Sequence, residues 1–219
     1  ITYLDADIFF YSEVEPIFKE IGNASIAIIE HRFSPPLKYL QINGRFCVEW
    51  NSFRRDKEGI KCLDTWRKQC LDWCYYKLEG DKMGDQKYLD SWPNTYPNCH
   101  IIKDIGAGIA PWNYSQYKIT VNNKTIRINN KKLIFYHFHQ FQIFMNNKFY
   151  RLGETYTEIK KEPNFIYEIY EKEIKNSIKI IREFDIGFSY GINKNNLLLK
   201  NKLKRIIPKE IKELIRRYF

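Results

Sequence analysis

The 219-residue sequence predicts an α/β fold, and three observations carry that prediction. Short apolar, β-type runs over residues 1–7, 25–29 and 45–53 alternate with helical patterns as far as residue 102, the layout of an α/β sandwich. Residues 56–77 and 163–184 repeat apolar side chains at three- and four-residue spacing, which predicts two long amphipathic helices. A hydrophobic content of 44% and an aromatic content of 16% are enough to fill a core between such layers.

The elements follow in order. Residues 1–7 read as a strand, and Ser12 as the cap of a short helix over 13–21 that Gly22-Asn23 ends. Residues 25–29 form a second strand, closed by the polar cluster Glu30-His31-Arg32; Ser34-Pro35-Pro36 is a loop. After the turn signal Asn43-Gly44, residues 45–53 are β-like. Asp56 caps a helix to about Lys77 that carries Ile60, Leu63, Trp66, Cys70, Leu71, Trp73 and Cys74. Residues 84–92 make a short helix closed by Pro93. Then come a strand over 100–102, a glycine-containing loop over 106–113, a hairpin about Asn122-Asn123 and a strand over 133–138. Residues 163–184 are helical through Ile166, Ile169, Tyr170, Ile174, Ile178, Ile181 and Phe184. The implied organisation is a catalytic domain over 1–150, a helical extension over 151–192 and a basic amphipathic tail over 193–219.

Charge is concentrated in that tail. The chain carries a net +10, and residues 193–219 hold nine Lys/Arg against two Glu, a net +7 that leaves +3 for the rest. With Pro208 in a first turn, Ile207, Ile211, Leu214, Ile215 and Tyr218 line one helical face flanked by Lys204, Lys209, Lys212 and Arg216. Such a helix suits an anionic membrane surface, or it packs its apolar face on the main domain. The basic residues are not interleaved with a nucleic-acid-binding motif, so nucleic acid is not an expected partner. No run of 18 apolar residues provides a membrane-spanning helix. The sequence begins inside a strand, without methionine or a signal-peptide pattern, and reads as a fragment lacking its natural N-terminus. Five cysteines, an odd number with no disulfide spacing, fit a reducing, cytoplasmic compartment. Cys70 and Cys74 lie one helical turn apart but have no accompanying zinc-type cluster, so they read as small buried hydrophobes.

Four segments carry candidate chemistry. In Tyr3-Leu4-Asp5-Ala6-Asp7, two carboxylates one residue apart share a side of an extended segment and can hold one Mg²⁺ or Mn²⁺ together; an aspartate-rich strand stop is the plainer reading. Asp85-Gln86 opens a short helix and offers a carboxylate and an amide to sugar hydroxyls, or simply a cap. If the strand runs through His139, His137 and His139 share one face with Phe135; a histidine leaving a strand end suits a metal, and a satisfied, partly buried histidine is the plainer reading. In Ala110-Pro111-Trp112-Asn113, Trp112 is a stacking platform for a sugar or a core plug.

Taken in order, Tyr3 to Phe10, Gly84 to Pro93 and Ala110 to Asn113 match a pattern of bacterial sugar transferases. Over residues 1 to about 145 the chain resembles the GT-A-fold glycosyltransferases of the family 8 type, that of glycogenin and the galactosyltransferases. The resemblance implies the C-terminal part of a GT-A, Rossmann-like mixed-sheet fold, with base-binding strands preceding Ile1, plus C-terminal helices. It implies that Asp5, Ala6 and Asp7 contact the cofactor and that Asp5, Asp7 and His137 hold Mn²⁺ or Mg²⁺ on the diphosphate of a nucleotide-sugar donor. Asp85 and Gln86 would serve the sugar and a glycan or lipid-linked acceptor. His139, Trp112, Asn113, Glu30 and Arg32 are weaker substrate-binding candidates. The family's late H-x-x-G-x-x-K-P-W is replaced by His137-Phe138-His139-Gln140-Phe141, which leaves His139 a rival to His137. Two other readings compete. Gly84-Asp85 with Asp90 also fits the fourth motif of a haloacid-dehalogenase-type phosphatase, although polar residues 79–82 precede it where that family has a buried strand. A non-catalytic basic binding module is the other.

Overall fold

A computed structural model describes residues 1–123, 125–156 and 162–194. The chain is a mixed α/β protein that divides into two compact units. One comprises Ile1–His139 with Glu154–Pro163; the other comprises Gln140–Gly153 and the residues from Asn164 on. The predicted tail helix over 200–219 lies outside the described residues.

The first unit opens with β1 (Thr2–Leu4), β2 (Ile8–Phe10), α1 (Glu15–Ile21), β3 (Ile26–Glu30) and β4 (Phe46–Phe53). It continues through α2 (Lys57–Asp72), α3 (Trp92–Thr95) and β5 (Cys99–Ile102). The main sheet has the order β1-β4-β3-β5, with β3 antiparallel to β4 and parallel to β5. Further on, β6 (Ile119–Asn122), β7 (Thr125–Ile128) and β8 (Lys131–Lys132) form a separate small sheet. The last strand of the unit, β9 (Phe135–His137), pairs antiparallel with β2. In the second unit, β10 (Gln142–Phe144), β11 (Lys148–Tyr150), α4 (Asn164–Phe184) and β12 (Ile192–Asn193) follow, with the sheet order β11-β10-β12.

β4 is buried along its whole length, so one face cannot be told from the other by apolar alternation. Phe46, Val48 and Phe53 pack with Ile26 and Ile28 against Cys62 and Trp66 of α2 and against Leu89 and Trp92. Trp50 instead stacks on Phe135 of β9 at 5.8 Å and meets Phe18 of α1, which ties the main sheet to the β2–β9 pair. The register slips between Ile28 and Ile29, where Ile28 faces Asn51 and Ile29 faces Cys47. That irregularity lets the strand send large side chains to both layers.

Asp56 caps α2 as expected: its carboxylate accepts from the Gly59 amide at 2.8 Å and from the Ser25 hydroxyl at 2.8 Å. The helix stops at Asp72 rather than near Lys77. Trp73 is extended, and the Tyr88 hydroxyl takes up the last carbonyls, those of Gln69 and Trp73. Cys74 therefore lies past the helix and is exposed, not buried. Ser12 does not cap α1; its hydroxyl donates to the Leu133 carbonyl at 2.8 Å, and the helix starts after Val14 with Pro16 in its first turn. Pro35 and Pro36 open a 3₁₀ helix, Pro35–Asn43, where a loop was expected. Pro93 does not close a helix but sits in the first turn of α3, which the missing amide permits. The strand expected over 133–138 is shorter, because the Ile134 amide bonds Gly106 instead of a strand partner.

Candidate active site

The Asp5-Ala6-Asp7 segment lies where the chain leaves one sheet for another: β1 pairs with β4, and β2 pairs with β9. It is a turn, not the extended segment expected, so the two carboxylates do not meet through strand periodicity. They meet through register. Ile8 faces His137 across the β2–β9 pair, and the Phe138 amide donates to the Asp7 carbonyl at 2.7 Å. This sets the His137 ring beside the turn. Its Nε2 lies 2.9 Å from Asp7 Oδ1 and 3.8 Å from Asp5 Oδ2. Ala6 is the exposed residue between them and brings only backbone.

Behind the ring stands a carboxylate that sequence reasoning missed. Glu49 of β4 is fully buried and accepts from His137 Nδ1 at 2.8 Å. An imidazole held through Nδ1 by a carboxylate presents Nε2 outward, the arrangement typical of metal-bound histidine. Among the described residues the other Glu49 oxygen, also buried, has no hydrogen-bond partner. Cys47, two residues before Glu49, is buried in the same cluster, and single ligand atoms of Asp5, Cys47 and His137 lie within 4.8 Å of one another. A signal was present in the sequence: a glutamate inside an apolar strand is costly to bury unless a partner or cation faces it.

The electrostatics follow from this crowding. Burial pushes the Asp5 carboxyl up to about 6; His137 opposes the push, while Asp7, Glu49 and Asp85 add to it. Burial also acts to raise Asp7, but the hydrogen bond and charge of His137 outweigh it and hold that carboxyl below its usual value. For His137, burial disfavours charge, yet hydrogen bonds to Asp7, Cys47 and Glu49 win and keep the ring pKa well above normal. Three carboxylates around one ring leave an excess of negative charge. Carboxylate oxygens with an imidazole nitrogen are a donor set that fits Mn²⁺ or Mg²⁺.

His139, the rival ligand, lies on the same side. Its ring centroid is 5.9 Å from that of His137, but its Nδ1 is engaged by the Tyr156 hydroxyl at 2.7 Å. Burial and the neighbouring His137 lower its pKa to about 4, so the ring is neutral. Trp112 is not an open platform. It is buried, with its edge or face against His31, His137 and His139, and its indole N–H has no partner.

Asn113 is likewise buried. Its amide donates to the carbonyls of His31 and Gly108, each at 2.8 Å, and its oxygen accepts from the Ala110 amide, so it shapes the loop that carries Trp112. Arg32, at φ +51°, donates to the carbonyls of Asp104, Ala107 and Gly108 and fixes the same loop. Glu30 is paired with Arg45 at the surface.

Asp85 is a further carboxylate near this cluster. It lies close enough to Asp5 and Tyr3 to raise both pKa values, and its own is raised by burial. The Tyr3 hydroxyl donates to Asp5 Oδ1 at 3.3 Å. The Asp85 carbonyl is anchored by the Trp66 indole at 2.9 Å. Gln86 makes no side-chain cap bond; its amide donates to the Asn43 carbonyl at 3.2 Å. Asp90 turns away, accepting the amides of Arg45 and Phe46 at 2.8 and 3.4 Å.

Two proteins of Bacillus subtilis (strain 168) resemble the chain, and both are named as uncharacterized. YfnD is 30% identical over 193 residues, which is 87% of this chain and 62% of that protein. YfnF is 29% identical over 204 residues, 90% of this chain and 66% of that protein. The chain thus spans just under two thirds of the length of the curated relatives it matches. No protein-family model matches it, and no solved structure matches it. The likeness to YfnD and YfnF runs through most of this sequence.

Proposed function

We propose that the chain is part of a GT-A-type glycosyltransferase that moves a sugar from a nucleotide-diphosphate donor to a glycan or lipid-linked acceptor. The observation that carries this reading is the convergence of Asp5, Asp7 and His137, with Glu49 orienting the ring from behind. Asp5 and Asp7 would supply carboxylate oxygens, and His137 its Nε2, to a divalent ion held with the donor diphosphate. Mn²⁺ or Mg²⁺, when bound there, neutralises the charge that the leaving diphosphate gathers. Tyr3 steadies Asp5 through its hydroxyl. Asp85, close enough to Asp5 to raise its pKa, offers a carboxylate to a sugar carbon that becomes cationic as the donor bond breaks. Gln86, the next residue, is anchored through its amide N–H on the Asn43 carbonyl and keeps its carbonyl oxygen for the same sugar. His139 and Trp112 form the neutral, apolar wall.

The phosphatase alternative needs both Asp85 and Asp90 on the metal, and one Asp90 oxygen is committed to the start of β4. Among the described residues no helix is long and apolar enough to cross a membrane. A lipid-linked acceptor on the inner face of the membrane would then be met from the cytoplasmic side, with the basic tail as the contact. The direct test is a panel of nucleotide-sugars incubated with the protein and Mn²⁺, with release of free nucleotide as the readout. The reading expects turnover with at least one donor, lost on chelation and reduced at least 100-fold by Asp7→Asn. No metal-dependent release from any donor overturns it.

A further inference from the structure

Cys47 has no part in the transferase reading, yet it sits inside the candidate metal cluster. Its thiol is buried on β4, two residues before Glu49. One ligand atom each from Asp5, Cys47 and His137 falls within 4.8 Å of the others. Bonds of about 2.0–2.3 Å in a tetrahedral site put ligand atoms roughly 3.5 Å apart. The 3.8 Å between Asp5 and His137 Nε2 is already near that. Cys47 and His137 are fixed in strands, whereas Asp5 lies in a turn and can supply the remaining movement.

We propose that Asp5, Cys47 and His137 bind Zn²⁺ as a three-residue site with one open position. The donor chemistry selects the ion. A thiolate is a soft ligand that favours zinc over Mg²⁺ or Mn²⁺, and one sulfur, one nitrogen and one oxygen make a common zinc set. A second, independent observation points the same way: Glu49 holds His137 by Nδ1, and among the described residues its other oxygen, also buried, has no hydrogen-bond partner. A carboxylate behind the ring raises the basicity of the ligating nitrogen. Binding replaces the S–H bond with a Zn–S bond, and the proton leaves to the buffer. Asp5 and His137 also belong to the proposed Mn²⁺ site, so zinc and manganese exclude each other there. That consequence alone rests on the transferase reading: zinc acts as its inhibitor.

The test uses the full chain, stripped with a chelator and reduced, in a Cys70→Ser/Cys74→Ser background that removes two neighbouring thiols outside the cluster. Titration with CoCl₂ is expected to give a thiolate-to-cobalt charge-transfer band in the near ultraviolet at one equivalent. ZnSO₄ should abolish the band stoichiometrically. Cys47→Ser removes the band, and Asp5→Asn weakens zinc binding at least tenfold by competition with a chromophoric chelator. X-ray absorption of the zinc-loaded protein, which needs no further variant, should show one sulfur at about 2.3 Å. A cobalt spectrum without the band, a band that survives Cys47→Ser, or a zinc shell without sulfur overturns the proposal. Mn²⁺-dependent release of nucleotide is measured separately. Its presence without the band sinks only the zinc site, and its absence with the band sinks only the transferase reading.

Discussion

Asp5 and Asp7 are chemically identical and one residue apart, yet their carboxyls shift in opposite directions. Asp7 sits 2.9 Å from the His137 nitrogen, while Asp5 is 3.8 Å away among other carboxylates. Glu49 decides what that ring can do. Glu49→Gln keeps an acceptor on Nδ1 but removes the charge, so Mn²⁺ affinity should fall about 10- to 100-fold by isothermal titration. A smaller loss would show that the carboxylate only packs the ring. Elsewhere a single carboxylate serves stability. Glu20 accepts the amides of Lys103 and Asp104 at 2.6 and 3.0 Å and faces His100 at 3.0 Å. Burial acts to raise its pKa, but these bonds prevail and hold it below the usual 4.5. An acid with a lowered folded pKa stabilises the fold above its unfolded value and loses that contribution as the pH falls through the folded one. Glu20→Gln should therefore melt lower than the wild type at pH 7, with the gap closing below about pH 4. A gap in melting temperature that is constant from pH 7 to pH 3 would remove the carboxylate's charge from the account.

At the scale of elements, Gly59 reverses an ordinary rule. In a helix, Gly→Ala stabilises by about 1 kcal/mol. Here a Cβ at position 59 would lie 2.2 Å from the Arg54 carbonyl and 2.8 Å from that of Ser25. Both are backbone atoms at the seam between α2 and the strands, and neither can swing away. Gly59→Ala should cost about 2 kcal/mol or more, read as a lower urea midpoint at an unchanged slope. An increase in stability would mean that the first turn of α2 can lift off the sheet. The same elements show what a sequence makes legible. The Asp56 cap, the helix start and the Asn122-Asn123 hairpin are local events, and local chemistry announces them. Asp5, Asp7 and His137 were readable as ligand types, but their meeting depends on the β2–β9 register, 129 residues apart in the case of Ile8 and His137. Glu49 and Cys47 were not readable as site residues. β4 is buried on both faces, and its register slip against β3 breaks the two-residue alternation that would have assigned a side. The end of α2 was missed for a similar reason, since the Tyr88 hydroxyl that receives its last carbonyls comes from 15 residues beyond Trp73.

At the scale of the whole molecule, the charge and the candidate site belong to different stretches. The candidate site is built from residues between 5 and 137 and gathers acids. The basic excess is concentrated beyond residue 193, in a segment outside the described residues. A transferase with a lipid-linked acceptor needs its site held near a bilayer whose cytoplasmic leaflet is anionic. Each Lys or Arg near such a surface is worth about 1 kcal/mol, an attraction that salt screens within a Debye length. Nine of them, set beside apolar residues at helical spacing, predict binding with both a salt-sensitive and a salt-resistant part. The full chain should therefore co-sediment with vesicles containing phosphatidylserine. It should release partly as salt rises from about 0.05 to 0.5 M and bind neutral vesicles far less. A chain ending at Asn193 should stay in the supernatant with both kinds while keeping its Mn²⁺ affinity. If the shortened chain sediments with anionic vesicles as well as the full one at low and at physiological salt, the tail is not the membrane contact. Its apolar residues then have their partner on the protein.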